Sequence, residues 1–309
     1  MRRAVTGGAV LLLVSLMVFA VVHMVPGDPA EMMLGQNATP ESLAILRREL
    51  RLDQPLPMQY VLWAAGVVRG DFGRSVSIDQ PVASILRERL PATVMLTIGG
   101  MFVALAVGIP LGVAASLVRG SRIDFSISLI AFLGVSIPQF WLGILLILLL
   151  SLQLGWLPPG GFVDITANPI EGLRRLIMPS LALGLTLAAI ISRMTRSSML
   201  EVIRQDYVRT ARSKGMPERR VVLRHALRNA MIPTLTVIGI QIGYLIGGAI
   251  VIEEVFYWPG LGRVVLHAVN YRDLPLLQGA TMVIATAFVA VNLLVDVAYT
   301  LLDPRVRIS

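Results

Sequence analysis

The sequence lacks cysteine altogether, and its 27 basic residues include a single lysine, Lys214. Without cysteine the chain has no disulfide, thiolate nucleophile, iron–sulfur cluster or cysteine-type zinc site. The three histidines, His23, His225 and His267, stand far apart and show no metal-ligand spacing. Charged residues make up only 15% of the chain, whereas soluble proteins carry about 25%. The missing cysteine excludes enzymes that act through a thiolate or a cysteine-bound metal, and the low charge content argues against a soluble fold.

Long apolar segments recur along the 309 residues, of which 55% are hydrophobic. A helix needs about 20 apolar residues to cross the hydrocarbon of a bilayer. The sequence therefore predicts an all-α polytopic membrane protein with six transmembrane helices. They are Ala4–Val25, Pro91–Val118, Phe125–Leu154, Ile177–Met194, Met231–Ile252 and Leu276–Leu302. The third segment is too long for one straight helix, and Pro138 within it predicts a kink or a break.

Three regions follow from these spans. Residues 1–25 resemble a secretory signal, but the apolar part is too long and no small-x-small site precedes the turn at Pro26, which predicts an uncleaved anchor. Residues 26–90 form an extracytoplasmic segment, with short helices expected over Pro40–Arg51 and Pro57–Val68, the second amphipathic. Residues 91–309 hold the other five spans and a cytoplasmic loop at 200–233.

The distribution of charge predicts the orientation of the spans. If the N-terminus lies inside, the inner segments carry 16 basic residues against five acids, and the outer segments 11 against 13. Basic residues concentrate on the cytoplasmic side of membrane proteins, so both termini are predicted to be cytoplasmic. Ten of the basic residues lie between Arg193 and Arg228. They suit an acidic protein partner or anionic membrane lipid, and no nucleic-acid motif accompanies them.

Catalytic motifs are missing from the sequence. It has no H-E-x-x-H and no G-x-S-x-G, and Lys214 precedes a glycine rather than following one as a P-loop requires. The chain therefore has no ATP site of that kind, and uphill transport would draw its energy from a partner. Asp296 is the one clear ionisable residue inside a span. The last span has a polar stripe near its inner end, formed at helical spacing by Asn292, Asp296, Tyr299 and Asp303. A charge within the membrane is costly unless it is paired, so we expect Asp296 to face the protein interior. There it either pairs with Arg193 or Arg196, or acts in gating or substrate contact.

The loop at 200–233 has the pattern of two short helices at a bend. Leu200, Ile203, Tyr207 and Ala211 predict one amphipathic helix. Gly215 ends it, Pro217 opens a second helix, and Pro233 ends the second helix where the fifth span begins. The second helix is expected to carry Arg220, Arg224 and Arg228 on one face, and Leu223, Ala226, Leu227 and Ala230 on another. Such a loop is either a knob that another protein grips or an amphipathic surface lying on the membrane.

Two further groups have structural and functional interpretations. Gly239, Gly243 and Gly247 recur every four residues on the fifth span, which indicates close helix packing or, alternatively, a wide translocation path. Phe256, Tyr257 and Trp258 follow the outer end of that span, where aromatic residues commonly form an interfacial belt.

The whole chain resembles the dipeptide/oligopeptide branch of ABC-importer permeases, specifically its B-type subunit. The resemblance is carried first by Tyr207-Val-Arg-Thr-Ala-Arg-Ser-Lys-Gly215 and Arg224-His-Ala-Leu-Arg-Asn-Ala-Met-Ile-Pro233. Arg209-Thr210-Ala211 stands where the general family has Glu-Ala-Ala, a departure shared with the peptide branch. Further matches are Pro26-Gly-Asp-Pro29, Leu52-Asp-Gln-Pro-Leu-Pro57, Arg69-Gly-Asp-Phe-Gly-Arg-Ser75, Ser136-Ile-Pro-Gln-Phe-Trp141, Glu253-Glu-Val-Phe-Tyr-Trp-Pro-Gly-Leu-Gly262 and Asp303-Pro-Arg-Val-Arg307.

The resemblance implies a type I importer permease without an enzymatic site of its own. It implies a heterodimer with a C-type permease, one or two cytoplasmic ATPases that hold ATP and magnesium, and an extracytoplasmic binding protein that delivers peptide. No cofactor or metal is expected in this chain. The ATPase-coupling residues would be Tyr207, Arg209, Thr210, Ala211, Lys214, Gly215, Arg224, His225, Asn229 and Pro233. Asp71, Phe72, Phe256, Tyr257 and Trp258 would form the outer mouth. Related permeases carry nickel, glutathione or other small solutes, which remain alternatives.

Overall fold

The computed structural model describes residues 2–24, 28–35, 38–49 and 52–302, which are nearly all helical. The helices are α1 Arg2–Met24, α2 Pro29–Leu34, α3 Pro40–Glu49, α4 Leu56–Val68, α5 Val82–Leu117, α6 Arg122–Ser136, α7 Gln139–Leu146, α8 Pro169–Val202, α9 Asp206–Ser213, α10 Glu218–Arg220, α11 Leu227–Val255, α12 Leu261–Asn270 and α13 Leu274–Leu302. Two π-helical segments, Ile147–Gln153 and Val221–Ala226, follow α7 and α10.

Within the described residues, four single helices are long and apolar enough to cross a membrane: α1, α5, α8 and α13. Two bent pairs complete the six predicted spans when each pair counts as one. The break predicted at Pro138 is present, because α6 and the helix beginning at Gln139 meet at 103°. The second pair bends by 57° between Gly243 and Gly247.

Several helices extend one to three turns beyond the predicted spans. α5 begins at Val82, not Pro91, because Ile85 and Leu86 bury an additional apolar turn in a core cluster. α8 begins at Pro169, where the Asn168 side chain accepts a hydrogen bond from the Glu171 amide. Helix α4 covers the predicted range but is apolar rather than amphipathic, since it has no charged residue and its one amide side chain, Gln59, is buried. Residues 50 and 51, at the end of the helix predicted over Pro40–Arg51, lie outside the described residues.

The chain divides into two compact units, and α5 and α13 contribute residues to both. The first unit contains residues 1–93 and 259–293. Its core is a cluster of buried side chains from the start of α5, from α12 and from α13: Val82, Ile85, Leu86, Leu261, Val264, Ala268, Leu276 and Ala280.

A buried carboxylate organises the loop that precedes α5 in this unit. Asp273, only 1% exposed, accepts hydrogen bonds from the hydroxyls of Ser75 (2.6 Å) and Ser77 (2.7 Å) and from the Ser77 amide (2.9 Å). Its other oxygen accepts a bond from the Leu276 amide at 3.1 Å, in the first turn of α13. These bonds compensate the desolvation of the charge and fix the loop against the α12–α13 junction. The sequence gives no signal for this site, because Ser75 and Asp273 stand 198 residues apart in the chain.

The second unit contains residues 94–258 and 294–309. Within it, small residues let α5 and α8 approach closely. Gly184 on α8 lies against the Gly100 carbonyl and the Val103 side chain. A Cβ atom on Gly108 would stand 2.7 Å from the Ala188 carbonyl oxygen. This is the close packing that small residues allow between membrane helices. The glycine spacing in the sequence predicted such packing only for the fifth span.

Candidate functional site: the basic segment

The basic segment, residues 200–233, runs from the end of α8 into α11. The single helix predicted from Leu200 to Ala211 is wrong. α8 ends at Val202, and α9 starts afresh at Asp206 after an extended Gln205 (φ −70°, ψ 147°). The break turns Val208 and Ala211 inward, whereas Tyr207, predicted on the apolar face, is 42% exposed.

The bend predicted at Gly215 is present. Gly215 has φ +72°, a conformation that side chains with a Cβ rarely adopt. Its amide donates to the Arg212 carbonyl at 2.9 Å, which closes the turn after α9. Pro217 (φ −63°, ψ 139°) stands just before α10 and starts the second helix as expected.

The second helix does not end at Pro233. α11 continues through this proline to Val255, so the basic segment and the fifth span share one helix. Proline lacks the amide hydrogen of a helical residue, but membrane helices tolerate it because neighbouring groups satisfy the freed backbone. Next to the proline, the Thr234 hydroxyl donates to the Ala230 carbonyl at 3.1 Å.

Two apolar clusters hold the bend in shape. Val208 and Ala211 of α9 pack on Val221, with Val202 and Met216 beside them. The second cluster joins the end of α8 to the second helix through Met199, Val222, Ala226 and Ala230. Ala226 and Ala230 therefore lie on the buried face as predicted, whereas Leu223 is 49% exposed and does not.

Polar contacts fix α9 to the second helix. The Asn229 amide nitrogen donates to the Tyr207 hydroxyl at 2.7 Å, and that hydroxyl lies 3.5 Å from the His225 carbonyl oxygen. Across the bend, Arg212 donates to both oxygens of Glu218, at 3.1 and 2.7 Å. These hydrogen bonds lower the pKa of the Glu218 carboxyl and raise the pKa of Arg212.

The solvent-exposed surface of the basic segment is cationic. The side chains predicted as a stripe, Arg220, Arg224 and Arg228, are all exposed. The other exposed basic residues of the bend are Arg204, Arg209, Arg212, Lys214 and Arg219. Thr210 is exposed as well, and Ala211 is buried beneath it. The basic segment is therefore a bend held in shape by its own apolar and polar contacts, with positive charge on its exposed surface.

The glycines of the fifth span have different surroundings. Gly239 packs against the Val295 side chain, which supports the helix-packing interpretation at this position. A Cβ atom added to Gly247 would meet nothing within 4 Å. Gly243 is half-buried.

One of the two arginines proposed as partners of Asp296 binds a different carboxylate. Arg196 donates to both oxygens of Asp124, each at 2.7 Å, and Asp124 is 5% exposed. Asn292 donates to the Phe288 carbonyl of its own helix at 2.9 Å. The side chains of Asp296 and Tyr299 lie outside the described part of the structure, as does Asp303.

The residues expected at the outer mouth differ in exposure. Phe256 and Trp258 are 1% and 0% exposed, so neither forms a surface belt, whereas Tyr257 is 68% exposed. Trp258 meets Phe162 edge-on with ring centres 5.0 Å apart, and the Phe256 carbonyl accepts a bond from the Gly161 amide at 2.8 Å. In the first unit, Asp71 is exposed and Phe72 packs on the core cluster.

Comparison with known proteins identifies the family. The family described as binding-protein-dependent transport system inner membrane component matches residues 108–308. The corresponding N-terminal membrane-component family matches residues 1–97. The chain belongs to this family of transport-system membrane components. It is a multi-pass protein of the cytoplasmic membrane, and it acts as one component of an ABC importer.

Three curated relatives extend over almost the whole chain. A putative peptide transport system permease of Brucella abortus (strain 2308) is 44% identical over 99% of this chain and 98% of its own length. A dipeptide transport system permease of Alkalihalophilus pseudofirmus is 40% identical with the same coverage. A glutathione transport system permease of Salmonella paratyphi A is 42% identical over 96% of this chain and 94% of its own.

A solved structure has the same fold. The inward-facing MetNI methionine ABC transporter aligns with a TM-score of 0.59 over 71% of this chain and 96% of the matched chain, at 20% identity. The fold of this chain is therefore that of ABC-importer permeases.

Proposed function

We propose that this chain is the B-type permease subunit of an ATP-driven importer of dipeptides and oligopeptides. The observation that supports it most is the 40–44% identity, over 99% of the chain, to permeases named for peptide and dipeptide transport. In this proposal the chain pairs with a similar C-type permease, and an extracytoplasmic binding protein delivers the peptide. Both termini of the chain are cytoplasmic.

The basic segment is proposed to receive the motion of one or two separate ATPase subunits, which hold ATP and magnesium. This chain supplies the mechanical connection and has no ATP site of its own. Because α11 is continuous through Pro233, a displacement of the second helix would pass directly into the fifth span. The Arg212–Glu218 and Tyr207–Asn229 contacts would make α9 move with that helix. The spans would then open the path alternately to each side.

Residues along that path are part of the same proposal. Gly247, with open space beside it, and Gly243 leave room for peptides of variable side chain. Asn292 and Asp296 would contribute to gating near the inner end of α13. Two exposed residues would contact the binding protein: Tyr257, which is 68% exposed, and Asp71.

Glutathione is the second candidate substrate, because a glutathione permease matches 96% of the chain at 42% identity. Nickel is a third, on family resemblance alone. The experiment is uptake in cells that lack the gene and carry it back on a plasmid. We expect restored uptake of radiolabelled dipeptide that excess unlabelled dipeptide abolishes and excess glutathione leaves unchanged.

Uptake of labelled glutathione or nickel, without uptake of dipeptide, would contradict the peptide assignment. The control strain carries the Gly8→Ala variant. Gly8 lies within helix α1, has open space around it and is outside the basic segment and the proposed path, so this variant should transport like the original chain.

A further inference from the structure

Helix α4 has a surface that the proposed function does not use. Its 13 residues include no charged side chain, yet Leu56, Met58, Val61 and Val68 are between 49% and 88% exposed. Apolar surface of this kind marks contact with protein or membrane. A helix of about 20 Å is also too short to cross roughly 30 Å of hydrocarbon.

The contacts of α4 with α1 fix its depth. The Tyr60 hydroxyl lies 2.9 Å from the Ser15 hydroxyl, and the Tyr60 ring meets Phe19 edge-on at 5.4 Å. Trp63, one turn further along α4, lies 5.8 Å from the Phe19 ring. Ser15 and Phe19 belong to the apolar stretch Val5–Val22 of α1.

The position of Ser15 within this stretch places Tyr60 inside the bilayer. Ser15 precedes Val22 by seven residues, which is about 10 Å along a helix. The Tyr60 hydroxyl is hydrogen-bonded at that level, so the Tyr60 side chain reaches well below the outer end of the α1 span. A helix held in the water above the bilayer would not make this contact.

The polar groups of α4 are suited to such a site. Ser15 and Tyr60 satisfy each other's hydroxyls, and Ser15 also donates to the Leu12 carbonyl at 2.7 Å. Gln59, 8% exposed, donates its amide to the Gln54 carbonyl at 2.8 Å. Unpaired, these groups would each cost several kcal/mol in hydrocarbon. The charged residues Asp53 and Arg69 stand outside the helix, one before it and one after.

We propose that α4 is a re-entrant helix, lodged beside α1 in the outer half of the bilayer, with Met58 and Val61 in contact with lipid acyl chains. The exposed face of α4 adjoins the α1 span, whose own apolar side chains Leu12, Leu13 and Met17 are 52–58% exposed. In this proposal lipid covers the exposed faces of α4 and of α1, because the two faces lie at the same depth in the bilayer. The inference does not depend on which solute the importer carries.

Spin labels test the position of α4. The chain has no cysteine, so Val61→Cys in the full-length chain, reconstituted in phosphatidylcholine and phosphatidylglycerol vesicles, gives a single labelled site. The measurement is accessibility of the label to oxygen, which partitions into lipid, and to a water-soluble nickel chelate. Leu13→Cys on α1 is the lipid reference, and Glu41→Cys, exposed on the charged helix α3, is the aqueous reference.

We expect the oxygen-to-nickel ratio at Val61 to match that at Leu13 and to exceed the ratio at Glu41 several-fold. A ratio like that at Glu41 would place α4 in water and overturn the proposal. Low accessibility to both reagents would mean that protein covers the helix, and would overturn it equally. Met58→Cys, 49% exposed on the same helix, repeats the measurement if the Val61 variant does not fold.

Discussion

Replacing Gly215 with proline is expected to stop transport while the membrane helices remain folded. Gly215 has φ +72°, and proline restricts φ to about −65°. The substitution also removes the hydrogen bond from the Gly215 amide to the Arg212 carbonyl (2.9 Å). A backbone strain of about 2 kcal/mol would reduce the population of the native bend about thirtyfold. ATP-dependent uptake in proteoliposomes should fall by at least about tenfold.

Two control variants separate the role of the bend from general damage. Gly215→Asn should retain most of the uptake, because asparagine tolerates a left-handed backbone. Gly155→Pro makes the same change elsewhere: Gly155 has φ +64° and open space, and its amide donates to Ser151 at 3.2 Å. Because the backbone strain then falls on a turn outside the basic segment, uptake by Gly155→Pro should stay within about twofold of the original chain. Full-rate uptake by Gly215→Pro would show that the bend is not needed for coupling.

Replacing Asp124 with asparagine is expected to lower the free energy of unfolding more than the other substitutions described. Asp124 is 5% exposed and forms two 2.7 Å hydrogen bonds with Arg196. Its second oxygen also accepts a bond from the Gly120 amide at 2.9 Å. Removing one partner of a buried pair costs about 3–5 kcal/mol. Because the Arg196 side chain is 30% exposed, solvent screening reduces this cost to about 2–3 kcal/mol for Asp124→Asn.

The measurement is a double-mutant cycle on thermal unfolding in detergent, with Asp124→Asn, Arg196→Gln and both together. We expect the double variant to be less destabilised than the sum of the single ones, with a coupling of about 1–3 kcal/mol. Arg193→Gln is the matched control, since Arg193 lies one turn earlier on α8 and is exposed. Additive effects, or equal losses for Arg193→Gln and Asp124→Asn, would contradict the assigned pair.

The sequence predicted those features of the fold that depend on local rules. Apolar length predicted the spans, and the missing amide and rigid φ of Pro138 predicted the broken third span, which bends by 103°. Gly215 predicts a bend because glycine commonly ends helices, and its φ of +72° fits that role. The same rules misjudged Pro233, because the interior of a membrane protein stabilises a helix that proline would interrupt in water.

The errors arise where distant residues decide the structure. The helical repeat placed Tyr207 on the apolar face, but the break at Gln205 turns Val208 inward to meet Val221. Trp258 suggested a surface belt from its place in the chain, and it is buried through contact with Phe162, almost 100 residues earlier. The pair of Arg196 with Asp124, 72 residues earlier in the chain, likewise depends on the packing of distant helices and has no signature in the sequence.

Whether this chain imports peptide only when driven by separate ATPases can be measured as uptake of radiolabelled dipeptide into proteoliposomes assembled from purified components. Uptake is expected only when this chain, its companion permease, the ATPase subunits, the binding protein and ATP with magnesium are all present. Omission of the ATPase subunits should remove uptake completely. Dipeptide accumulation against a gradient by this chain alone, with no ATPase in the vesicles, would contradict the account.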